Sequence, residues 1–155
     1  MEAIWTSVVA VAGTLLGSVI THAFQRLASR RGELFTRAEA LRQERMAAYG
    51  AFAAAVEDYR HGQATRWYRK EEDPDGEAFI TARDEAHRLR TVARQGLYQV
   101  KLLTDDREVI FAAERAYECT REVSNAQDQA DRDTRDAQAR RAVEAFISRA
   151  SPLVR

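Results

Sequence analysis

Twenty-three consecutive residues, Ala3 to Gln25, carry no formal charge, and Arg26, Arg30 and Arg31 follow at once. As a helix rising 1.5 Å per residue this stretch reaches roughly 35 Å, enough to cross a hydrocarbon core of about 30 Å. A cleaved leader is the weaker reading. Its n-region would hold Glu2 and no Lys or Arg, the apolar run is too long, and no clean pair of small residues marks a cleavage site near Gly17 or Ala23. A buried core helix is also disfavoured, because such helices rarely run past about 20 residues without a charge. The first expectation is therefore a transmembrane anchor over residues 1–25, with residues 26–155 as one further domain.

The charges beside the run set its direction. The N-terminal side offers the α-amino group against Glu2. The other side offers Arg26, Arg30, Arg31, Arg37, Arg42 and Arg45 against Glu33, Glu39 and Glu44. Positive flanks stay inside, which puts the N-terminus outside and the C-terminal domain in the cytoplasm of a single-pass cell-membrane protein. Arg26, Arg30 and Arg31 are the residues expected to touch lipid headgroups, each contributing about 1 kcal/mol near an anionic surface. Cys119 is the single cysteine. No intramolecular disulfide can form, in keeping with a reducing compartment.

Plotted at 100° per residue, the run divides into two faces. Ile4, Val8, Val11, Leu15, Val19 and their neighbours form an apolar half, while Gly13, Gly17 and Thr21 lie on a small, hydroxyl-bearing half. Gly13-x-x-x-Gly17 lets two helix backbones approach closely, and Thr21 lies one turn further on. A lone span must find its packing partner in another chain, so a homo-oligomer is expected.

The remainder suits an all-α body. It is rich in Ala, Arg, Glu and Gln and poor in Gly and Pro, a composition of good helix formers. Leu34, Leu41, Ala48, Phe52, Val56, Tyr59 and Trp67 fall on one helical stripe, and no proline interrupts before Pro74. One long helix is thus expected from the membrane to about Lys70, with bends possible at Gly32, Gly50 and Gly62. Asp73-Pro74-Asp75-Gly76 is the strongest stop signal. A second helix is expected from about Glu77 to Leu103, with Phe79, Ala82, Ala86, Leu89, Ala93, Gly96, Val100 and Leu103 on one face. Asp105 and Glu108 have capping-box spacing at the start of a third, over Val109, Ala113, Ala116, Thr120 and Val123. Ser124 to Arg135 is highly polar and reads as a loop, a frayed turn or a solvated helix. A last helix carries Ala139, Ala142, Val143, Phe146, Ile147 and Ala150 and ends before Pro152. The fold expected is an N-terminal transmembrane helix continuing into a long cytoplasmic helix, packed with two or three antiparallel helices.

Chemical motifs are scarce. The three histidines, His22, His61 and His87, have no second ligand at a recognisable spacing unless Asp84 is counted with His87. The chain has no G-x-S-x-G, no phosphate loop and no GxGxxG. No cofactor, metal or catalytic residue is expected. The cluster with most character is Arg66-Trp67-Tyr68-Arg69-Lys70, where aromatics interleave with cations as in a partner surface. Against that, Trp67 also ends the core stripe, and Glu71-Glu72-Asp73 neutralises the cations. With 24 basic and 24 acidic residues the chain has no net charge. Nucleic acid is accordingly not the expected partner; membrane lipid and an unidentified protein are.

The order LLGSVITHAFQRLASRRGELFTRAEALRQERMAAYGAFAAAVEDYRHGQATRWY, echoed weakly by the terminal AFISRASPLVR, resembles the KilB-like small single-span membrane proteins of actinomycetes. The resemblance implies a part in plasmid spread between hyphal compartments, with harm to the host when unregulated, and it supplies no catalytic residues. Residues and resemblance together point to a non-enzymatic, membrane-anchored helical scaffold that takes part in plasmid transfer. The alternative, from another class, is an oligomer whose spans perturb the bilayer.

Overall fold

A computed structural model describes the backbone from Glu2 onward and the side chains of residues 35–155. The uncharged run, with Gly13, Gly17 and Thr21, and the arginines at 26, 30 and 31 lie outside the described side chains. Among the described residues no helix is long and apolar enough to cross a membrane.

Four helices make up almost the whole chain: α1 (Glu2–Glu72), α2 (Glu77–Leu103), α3 (Arg107–Arg121) and α4 (Gln129–Ala150), with short 3₁₀ turns at Glu122–Asn125 and Ser151–Val154. The chain divides into two compact units, Met1–Leu41 and Arg42–Arg155. In the first, Phe35 is exposed and Leu41 lies at the surface. The second is a four-helix bundle.

The bundle forms because each helix carries one apolar stripe and can bury it only against the others. On α1 the buried stripe runs through Tyr49, Phe52, Val56, Tyr59, Gln63 and Trp67, spaced by three or four, with Ala55 and Arg60 buried beside it. The expected stripe thus holds from Phe52 onward. Small residues dominate the inner face of α2: Ala82, Ala86, Ala93 and Gly96 are all buried, with Leu97 and Val100. Such a face allows close approach. A methyl group added at Gly96 would lie 3.2 Å from the Phe52 Cα. Val109, Ala113, Ala116, Tyr117 and Thr120 of α3 and Ala139, Ala142, Val143, Phe146 and Ala150 of α4 complete the core. Phe146 meets Phe52 edge-on at 5.0 Å between ring centroids and Tyr49 at 6.0 Å.

Named contacts fix the register. Arg45 of α1 lies against Leu103, Phe52 against Gly96 and Gly62 against Ala86, so α2 runs antiparallel to α1. Phe52 with Phe146 and Arg60 with Asp136 make α4 antiparallel as well. Tyr59 with Tyr117 and Gln63 with Arg121 make α3 run the same way as α1. The topology is up-down-up-down.

α1 also closes the ends of its neighbours. The last carbonyls of a helix have no partner within it and need one elsewhere. Arg45 Nε donates to the Leu103 carbonyl at 2.7 Å, Gln63 Nε2 to the Arg121 carbonyl at 2.8 Å, and Arg42 Nη1 to the Val154 carbonyl at 2.8 Å.

Two local expectations shift and a third narrows. The cap of α3 is Asp106, not Asp105: its carboxylate accepts from the Glu108 and Val109 backbone N–H groups. Thr104 accepts from Asp106 N through its hydroxyl, which fixes the turn one residue later than the Asp105–Glu108 spacing suggests. Of the loop, frayed turn and solvated helix open for the polar stretch 124–135, the structure shows a short 3₁₀ turn and linker and then a largely solvated first turn of α4. Asp128 caps α4 by accepting from Asp131 N at 2.8 Å, and helix follows from Gln129. Ile147 is exposed rather than buried, because Phe146 occupies the inward position beside it.

Candidate functional site

The cluster Arg66 to Lys70 ends α1 with five consecutive side chains, and consecutive side chains on a helix point about 100° apart. The structure separates them accordingly. Trp67 turns inward, 5% exposed, and its Nε1 donates to the Ala126 carbonyl at 3.0 Å. Tyr68 packs edge-on against Trp67 and lies under the Arg132 guanidinium of α4, 4.5 Å from its ring centroid. Arg132 Nη2 also donates to the Tyr68 hydroxyl, which accepts from Gln129 as well. Arg69 pairs with Glu72 at 2.6 Å, and Lys70 is exposed. These residues do not share one surface: Trp67 and Tyr68 lock α1 to α4, while the cations diverge.

Arg66 goes elsewhere. It lines a cleft of about 200 Å³ where α1, α2 and the end of α3 meet. Each wall follows from helical spacing. Tyr59, Gln63 and Arg66 succeed one another along one face of α1, and Ala86, His87 and Arg90 supply α2. Arg121 comes from the last turn of α3, and Ser124 and Asn125 from the 3₁₀ turn after it. Tyr59, Gln63 and Ser124 are buried and form the floor, Arg66 and Arg90 are half-exposed, and His87 and Arg121 lie at the rim.

The cleft holds three arginines and a histidine, and no carboxylate lines it. Among the described residues neither Arg66 nor Arg90 has a carboxylate within ion-pair distance. Arg90 instead donates from Nε to the Tyr117 hydroxyl at 3.3 Å, and that bond raises its pKa further. Arg121 is paired with Glu118 at 3.0 Å and Glu122 at 3.1 Å, neither of which lines the cleft. Glu122 also accepts from the Asn125 amide at 3.0 Å. The hydrogen bond from Asn125, helped by the one from Arg121, keeps the Glu122 carboxyl below its ordinary range. Burial, reinforced by Tyr117, pushes the Tyr59 hydroxyl up to about 12, so it stays neutral in the floor.

A larger groove of about 420 Å³ lies between α3 and α4, bordered by Phe111, Arg115, Cys119 and Arg141. Its walls carry both signs, with Arg149 reaching Glu108 at 3.3 Å. Among the described residues no group of three or more His, Cys, Asp or Glu is placed to hold a metal ion. Arg66 was marked in the sequence by its aromatic neighbours and His87 only as a metal-ligand candidate, whereas nothing marked Arg90 or Arg121. The one usable signal was spacing, His87 with Arg90 on one face of α2, and it means nothing until α2 is known to lie beside Arg66.

Residues 46–154 match the KilB plasmid transfer protein family. The chain belongs to that family. The match begins one residue after Arg45, which binds the end of α2, and stops at Val154, whose carbonyl binds Arg42, so the KilB region coincides with the bundle. No curated protein and no solved structure matches the chain.

Proposed function

We propose that this KilB-family chain is a non-enzymatic, membrane-anchored adaptor of plasmid transfer, which presents its helical bundle to protein partners on the cytoplasmic side. The observation that carries the reading is the order of parts along the chain: 23 uncharged residues, then arginines, then a bundle that coincides with the family match over residues 46–154. The uncharged run has the length of a span, and the arginines after it favour a cytoplasmic bundle. Gly13, Gly17 and Thr21 pair one span with another copy, making the adaptor a homo-oligomer.

Cys119 gives the test. It is the single thiol, half-buried beside an open groove, so a small maleimide can reach it. In intact cells making the full chain, a membrane-impermeant maleimide is expected to leave Cys119 unlabelled until the membrane is permeabilised. The protein is also expected to stay in the membrane pellet after an alkaline wash. Labelling in intact cells, or release by the wash, would overturn the reading.

A further inference from the structure

We propose that the cleft between α1, α2 and the end of α3 is a binding site for a phosphate-type oxyanion, held by Arg66, Arg90 and Arg121. In a chain with 24 acidic and 24 basic residues, a cleft lined by three guanidinium groups and no carboxylate departs from the general mixing of signs. Gathering those cations costs Coulomb repulsion, and an anion among them removes that cost. Arg121 is already paired, through Nη2 with Glu118 at 3.0 Å and through Nε with Glu122 at 3.1 Å, so Arg66 and Arg90, which have no carboxylate partner among the described residues, carry the unbalanced charge of the cleft.

The donors suit a tetrahedral oxyanion. Guanidinium groups present planar forks that grip phosphoryl oxygens two at a time, and such charge-assisted bonds are roughly twice as strong as neutral ones. Arg90 is held by Tyr117, and Arg121 is fixed by two glutamates and by Gln63 on its own carbonyl. Those bonds hold Arg90 and Arg121 in place before a ligand arrives, which limits the entropy lost on binding, and leave the remaining N–H groups of Arg90 and the whole Arg66 fork for the anion. The neutral Tyr59 hydroxyl and Ser124 in the floor supply further donors at no charge cost. The volume of about 200 Å³ takes a phosphoryl group and a few waters, each water occupying about 30 Å³ of liquid.

The test uses the full chain in detergent micelles, titrated calorimetrically with inorganic phosphate against sodium chloride of equal ionic strength. Saturable binding of phosphate is expected in the parent, weakened at least tenfold in Arg66→Gln. Arg66 makes no bond in the bundle that the substitution would break, so this variant folds whether or not Arg90→Gln does. Arg88→Gln, on the exposed side of α2 where Arg88 pairs with Glu85 at 2.6 Å, is expected to bind like the parent. A second arm separates the two sources of the group. Displacement of phosphate by glycerol 3-phosphate marks an esterified ligand, and no displacement marks the free ion; either supports the site. Absence of saturable binding, or equal loss in Arg66→Gln and Arg88→Gln, would overturn it.

Discussion

Arg60, near the C-terminal end of α1, donates through Nη1 to Asp136 Oδ1 of α4 at 2.5 Å, and the two side chains are only 8% and 13% exposed. Glu57, one turn earlier on α1, accepts from the same guanidinium at 2.8 Å. Burial works against the Arg60 charge, but the hydrogen bonds to Glu57 and Asp136 outweigh it and raise its pKa. The pair joins the first helix to the last halfway along the bundle, where a charge without its partner is costly.

Removing one member of a buried pair costs about 3–5 kcal/mol, because the other charge stays behind. Glu57 softens this, so Asp136→Ala is expected to destabilise the bundle by about 3 kcal/mol. Chemical denaturation measures it. Glu57→Gln, which removes the more exposed acceptor, is expected to cost less than half as much.

Trp67 separates a core role from a surface role. As a buried side chain it should cost about 3–5 kcal/mol when changed to Ala. An exposed partner residue would change stability by less than about 0.5 kcal/mol. Thermal unfolding of Trp67→Ala beside Lys70→Ala, an exposed neighbour, is expected to show a large loss for the first and almost none for the second.

Two glycines should respond with opposite signs. Nothing lies within 4 Å of a methyl group added at Gly50, so Gly50→Ala is expected to stabilise by about 0.5–1 kcal/mol through helix propensity alone. At Gly96 the added methyl would meet the Phe52 Cα at 3.2 Å, and backbone cannot swing aside. Overpacking of about 1–3 kcal/mol there outweighs the propensity gain, and Gly96→Ala is expected to destabilise. Midpoints of urea unfolding for the two variants check the contrast.

Tyr59 predicts an alkaline limb. Its hydroxyl titrates near 10 when unfolded and at about 12 when folded. The stabilising contribution is therefore complete below pH 10 and is lost as pH rises from 10 through about 12. Two pKa units correspond to about 2–3 kcal/mol, so stability should fall by that order across the window. Tyr59→Phe is expected to flatten this part of the pH profile, and a profile unchanged by the substitution would contradict it.

Helices were legible in the sequence because their signals are local. The stripe from Phe52 to Trp67, the Asp73–Gly76 turn and the small inner face of α2 depend on spacing within one element. The cap of α3 slipped by one residue because Asp105 and Asp106 offer the same carboxylate, and only the Thr104 hydroxyl on Asp106 N decides between them. The start of α4 was hidden by the polarity of residues 124–135, whose capping bond from Asp131 N to Asp128 looks like any loop contact in sequence. The cleft could not be read at all. Arg66, Arg90 and Arg121 lie on three helices, and their meeting depends on the topology of the bundle.

Transfer frequency between mating cells reads out whether the bundle serves plasmid transfer from an anchored position. The plasmid would carry the parent gene or the double change Leu15→Arg and Leu16→Arg, which places two charges in the middle of the uncharged run at about 2.5–3.5 kcal/mol each. The double variant is expected to accumulate as a folded protein but to leave the membrane fraction, with transfer falling to the level of a plasmid lacking the gene. Full transfer by a variant found only outside the membrane would contradict it.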